Sequence, residues 1–166
     1  YGGYMTINGA PVGRELGTYP YRDQLPTTDD GDMEDGSIML VVATDAPLNS
    51  RSLSRLGFRA LMGLGRTGSY ASNGSGDYVI SFSTHPAVRK PRVSRSPVAI
   101  EELVNASMSP LFAAVTEATE EAIYNAIFKA TTVSSARGEL RAVPYDELIR
   151  ILEKHKVLEW DTTVPH

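Results

Sequence analysis

The most continuous apolar stretch of the chain is Ile38-Met-Leu-Val-Val-Ala43, closed by Thr44. It is short, rich in β-branched residues and free of polar alternation, so it predicts a strand covered on both faces. A second strand is predicted over 78–84, where Tyr78, Ile80 and Phe82 alternate with Val79, Ser81 and Ser83. Between the two the period changes to that of a helix. Leu53, Leu56, Gly57, Ala60, Leu61 and Leu64 share one face, Asn49 or Ser50 can cap it, and Gly63 and Gly65 are expected to end it. Arg51, Arg55 and Arg59 lie four apart on the other side and read as a solvated face.

Further along, Ser109-Pro110 is a helix start signal, and the pattern runs helical to about Ala130. Ala114, Ala118, Ala122, Ala126 and Ala130 form a small-residue ridge that permits close approach to a helix or a sheet. A short helix is expected at 98–106. A last helix is expected after Asp146 as its cap, with Leu148, Ile151 and Leu152 on its apolar face. At the other end, Tyr4-Met-Thr-Ile7 and Ala10-Pro-Val12 flank Asn8-Gly9, a two-residue hairpin turn, with the Pro11 arm at an edge. Residues 17–36 carry Pro20, Pro26 and six acidic side chains and read as a loop or linker. This order gives an α+β or layered α/β class. Two long strands are too few to bury these helices, so more of the sheet is expected on sequence outside this chain or on a partner.

Composition narrows the chemistry. The chain has 166 residues, room for one domain, and a net charge of −4. That charge provides no footprint for nucleic acid, and no apolar run approaches the roughly 18 residues needed to cross a bilayer. Cysteine is absent, which excludes disulfides and thiolate nucleophiles and fits a cytoplasmic protein. His85, His155 and His166 lack metal-ligand spacing, so neither a metal nor a cofactor is expected. Gly63-Leu-Gly-Arg-Thr-Gly68 matches a dinucleotide fingerprint, but it follows a helix where a strand is required. Asp30-Gly-Asp-Met-Glu34 reads as a solvated acidic loop. A first residue of Tyr1 marks the chain as a fragment or a processed piece.

The chemistry concentrates at Ser37. A small nucleophile preceded by Gly36, at the junction of an acidic loop and a core strand, is where a chain could cut itself. The cut would place a hydroxyl and a free α-amine on one residue, and that amine can act as the hydroxyl's general base. Ser75 and Asp77, two apart on a glycine-flanked loop entering the second strand, could orient the amine. Gly74 and Gly76 would let the backbone approach. On spacing alone, a solvent turn capping a strand is the commoner reading of Gly-Ser-Gly-Asp.

Several stretches in order resemble the β-subunit of the L-aminopeptidase/D-esterase (DmpA-like) family, which includes the β-peptidyl aminopeptidases. They are Asp35-Gly-Ser37-Ile-Met-Leu-Val-Val-Ala-Thr-Asp-Ala-Pro-Leu48, Leu56-Gly-Phe-Arg-Ala60, Gly63-Leu-Gly-Arg-Thr-Gly68, Ser72-Asn-Gly-Ser-Gly-Asp77, Ile80-Ser-Phe-Ser-Thr84 and Ser109-Pro-Leu-Phe112. The resemblance implies an αββα sandwich of the kind shared with ornithine acetyltransferases, incomplete in this chain. It implies autoproteolysis between Gly36 and Ser37, with Ser37 as nucleophile and Ser75 and Asp77 completing the site. Residues 1–36 then form the tail of the α-subunit and an acidic linker, and 37–166 the β-subunit. The implied activity is that of a self-processing serine aminopeptidase acting on short peptides, amides or esters. Its partners would be its own α-subunit segment, the substrate and further αβ units in a homo-oligomer. An oxyanion-stabilising asparagine and a pocket tyrosine of the family have no counterpart in this chain. Two alternatives stand beside this reading: acyl transfer of the ornithine acetyltransferase kind, which uses threonine, and an unprocessed, non-catalytic assembly module.

Overall fold

The Ile38–Thr44 run forms strand β1 (Met39–Thr44) and the alternating run forms β2 (Tyr78–Ser83). They are hydrogen-bonded in parallel, with Met39 opposite Tyr78 and Thr44 opposite Ser83. Parallel neighbours need a crossover, and helix α2 (Ser50–Arg66) is in that connection. The structure is a computed structural model and describes residues 4–17, 37–90, 92–93, 95–136 and 138–158. Among them are also α1 (Val12–Glu15), α3 (Ser109–Phe128), the antiparallel pair β3 (Val133–Ser135) and β4 (Gly138–Leu140), and α4 (Tyr145–Lys154). The class is α+β, as expected. The acidic linker, Gly36 and His166 lie outside the described residues.

The chain divides into two units. The first to be described spans 38–64 and 77–119. Its core gathers Leu48, Leu56, Ala60, Met108 and Val115, with Leu40, Val42, Val79 and Phe112 packed against them. Helix α2 lies close on β2: a Cβ at Gly57 would come within 2.6 Å of Ser81 Oγ. Asn49 caps α2, its Oδ1 accepting from the Ser52 N–H at 2.8 Å. Gly63 and Gly65 do not end this helix, which runs to Arg66. At Gly63 the missing side chain serves packing instead. A Cβ there would stand 2.5 Å from the Thr116 carbonyl oxygen and 2.8 Å from Thr119 Cβ on α3.

Three further expectations change in this unit. The strands are covered on one face only. Met39 and Val41 of β1 and Tyr78, Ile80 and Phe82 of β2 are exposed on the other, at 43–66% of full accessibility. Arg55 and Arg59 are half-buried rather than fully solvated. Their guanidinium groups lie 5.0 and 4.1 Å from the centre of the Phe112 ring, and Arg55 also donates to Asn105 Oδ1 at 2.6 Å. The helix expected at 98–106 shrinks to a single 3₁₀ turn, Asn105–Ser107.

The second unit comprises the described parts of 1–37, 65–76 and 120–166. Asn8 and Gly9 take positive φ, 47° and 83°, the two-residue turn that Asn-Gly favours, and Ile7 and Ala10 pair across it. The second arm is no edge strand, because Pro11 leads straight into α1. Met5, Ile7, Ala10 and Val12 are buried with Leu148, Ile151 and Leu152 of α4. The residue before α4 is Pro144, and Asp146 lies inside its first turn rather than capping it. The buried stripe of α3 runs through Val115, Thr119 and Ile123. The alanine ridge is exposed, so its small side chains admit no neighbour among the described residues.

Candidate active site

Ser37 is two residues before β1, and Asp77 directly precedes β2. The parallel register sets the residues just before the two strands, Ile38 and Asp77, beside each other. Ser37 is exposed, and its Oγ accepts a hydrogen bond from the Gly76 N–H at 3.1 Å. The Ser72 carbonyl accepts from the Ser75 N–H at 2.9 Å, a turn that folds the Ser-Asn-Gly-Ser loop back on itself. In the other unit the Ile38 N–H donates to Asp77 Oδ1 at 3.2 Å, and the Ile38 carbonyl accepts from the Tyr78 N–H at 3.0 Å. Asp77 thereby ties down the backbone one residue after the serine.

The geometry suits a hydroxyl held for use. A serine oxygen has two acceptor lone pairs and one proton. Accepting from Gly76 fixes the oxygen and leaves the proton free to be transferred. Sequence reasoning expected Gly76, like Gly74, to let the backbone approach, without naming a contact for it. Its N–H is the group that touches the hydroxyl, and its place between Ser75 and Asp77 was the available signal. Gly36 lies outside the described residues.

The described histidines, His85 and His155, make other contacts. His85 accepts the Ala87 N–H at 3.1 Å and shapes a 3₁₀ turn. His155 Nε2 lies 2.5 Å from Glu15 Oε1, and Lys154 Nζ lies 2.8 Å from Glu15 Oε2. These contacts, His155 first, hold the Glu15 carboxyl below the usual carboxylate range. Tyr124 packs against the core of the second unit while its hydroxyl donates to the Thr6 carbonyl at 2.7 Å and stands 3.0 Å from the Glu120 carboxylate. A cavity of about 540 Å³ in the same unit is lined by Tyr4, Met5, Thr6, Pro11, Arg14, Gly68 and Tyr70. No group of metal-ligating side chains gathers among the described residues, and none of their helices is long and apolar enough to cross a membrane.

Comparison with known proteins places these features. The profile of peptidase family S58 matches residues 1–141. The chain is 38% identical over 162 residues to the β-peptidyl aminopeptidase BapA of Sphingosinicella microcystinivorans, covering 93% of this chain and 41% of that protein. A crystal structure of a Pyrococcus horikoshii protein superposes with a TM-score of 0.75 at 39% identity, over 93% of this chain and 40% of that one. The L-aminopeptidase/D-Ala-esterase/amidase of Ochrobactrum anthropi, described as a prototype serine aminopeptidase and a variant of the Ntn hydrolase fold, gives 0.74 at 31% identity, over 93% and 40%. The chain spans about two fifths of the length of these relatives.

Proposed function

Because this chain belongs to peptidase family S58, we propose that it is the nucleophile-bearing part of a self-processing serine aminopeptidase. The observation that carries the proposal is the Gly76 N–H holding Ser37 Oγ at 3.1 Å. Ser37 Oγ attacks the carbonyl carbon of Gly36. The C–N bond breaks, the Ser37 nitrogen takes the proton, and an ester joins Gly36 to the oxygen. Water hydrolyses that ester, releasing a Gly36 carboxylate and a Ser37 that now carries a free α-amine.

The mature reaction repeats the pattern on substrate. Ser37 Oγ attacks an amide or ester carbonyl next to a free amino group, and the Ser37 α-amine takes the hydroxyl proton. The leaving amine receives a proton, and water releases the acyl group. An unperturbed α-amine titrates at about 7.7–8.0, so a useful fraction is neutral near neutral pH. We assign Ser75 and Asp77 to orienting the amine. Residues 1–36 are the α-subunit tail with its linker, and 37–166 the β-subunit. Peptides with a free N-terminus are the substrate class, as the names of the similar enzymes suggest.

Edman sequencing of the purified whole protein tests the reading. A second N-terminus beginning Ser-Ile-Met-Leu is expected. Active protein with no such terminus would overturn it.

A further inference from the structure

We propose that the cavity beside Tyr4 is a binding site for a small ligand with a flat apolar body and one carboxylate. The inference is independent of the self-processing reading. The cavity, of about 540 Å³, falls within the roughly 300–1,000 Å³ typical of small-molecule sites. Met5 and Pro11 supply apolar wall, and the Tyr4 and Tyr70 rings meet edge to face with their centres 5.5 Å apart. Such a surface favours a flat apolar group.

Charge selects the rest of the ligand. Among the described residues that line the cavity, Arg14 alone is charged. It is exposed, with its guanidinium 5.8 Å from the centre of the Tyr4 ring. The ion pairs among the described residues engage Arg66, Arg141, Lys154 and His155, not Arg14. Glu15, its neighbour in sequence, is taken by Lys154 and His155. The planar donor fork of Arg14 is therefore left for a planar carboxylate, which it matches in geometry. A cavity with one cation and no acid disfavours an ammonium, so the amino end of a peptide is not what it takes. Its walls are also preformed. The Gly13 N–H donates to the Met5 carbonyl at 2.8 Å and the Thr6 N–H to the Thr67 carbonyl at 3.0 Å. Gly68, at φ +100°, passes so close to Tyr4 that a Cβ would stand 2.0 Å from the Tyr4 carbonyl oxygen. Backbone tied on both sides leaves little to order when a ligand enters.

Isothermal titration of the whole protein with 3-phenylpropionate, and with its uncharged counterpart 3-phenylpropanamide, tests the inference. The carboxylate should bind about two- to five-fold more tightly than the amide. Arg14→Gln should weaken the carboxylate by that same factor and leave the amide unchanged, and Arg14→Glu should make the amide the tighter of the two. Arg14 is exposed, so neither substitution disturbs packing. Tyr70→Ala should weaken both probes about two- to ten-fold. The Ser37→Ala protein should bind both as wild type does. No binding of either probe to the whole protein, equal affinity for the two, or unchanged affinities in Arg14→Gln would overturn the inference. Loss of binding in Ser37→Ala would also overturn it, by placing the probe at the nucleophile.

Discussion

At the scale of single residues, Ser37 is governed by what its nitrogen is bonded to. With Gly36 attached the nitrogen is an amide and no base, so in the proposed mechanism the first reaction of Ser37 is on its own chain. Only after that proposed cut would the residue carry both the nucleophile and its base. The Gly76 N–H would serve either stage, because it touches only the oxygen. Glu15 is a residue-scale case with a definite pH signature. Its carboxyl is held low, by His155 first and Lys154 second. A depressed carboxylate contributes stability that is present above its unfolded pKa and lost as pH falls through its folded one. Urea melts of wild type and Glu15→Gln should therefore differ at pH 7, and the gap should narrow as pH falls below the ordinary carboxylate range. A gap that widens on acidification would contradict this. Ser37 was legible in the sequence because a glycine-serine junction between acidic and apolar runs is a local signal. The Glu15 clamp was not, because its partners lie 139 and 140 positions away.

At the scale of elements, periodicity identified β1, β2, α2, α3 and α4, and the departures have physical causes. Gly63 and Gly65 look like a helix stop by local preference, but α2 continues because glycine lets α3 come close. Gly63→Ala should accordingly destabilise the protein by about 1–3 kcal/mol, since Thr116 presents backbone that cannot step aside. Thermal unfolding checks this, and an unchanged midpoint would contradict the packing role. Arg55 and Arg59 read as solvated from their spacing alone, whereas Phe112, more than fifty positions downstream, supplies a ring for both. The β3–β4 pair went unseen because three-residue strands around Gly138 carry no measurable alternation.

At the scale of the whole molecule, the exposed apolar face of β1 and β2 is the main fact. Met39, Val41, Tyr78, Ile80 and Phe82 form it, and the sequence had implied a strand buried on both sides. The run Ile38–Ala43 does carry the composition of a fully covered strand, and this chain spans only about two fifths of its relatives. We propose that sequence outside this chain, or a partner, covers this face. Ile80→Asp in the whole protein should sharply reduce soluble, cut material, because it places a charge in a face that must become buried. Wild-type yield by gel filtration would contradict that account. The central claim is that Ser37 cuts its own chain and then serves as the nucleophile. Intact mass spectrometry of the whole protein beside its Ser37→Ala variant tests it most directly. The account predicts two fragments, one beginning at Ser37, in wild type, and a single uncut, inactive chain in the variant. A fragment pair in both, or activity in the uncut variant, would contradict it.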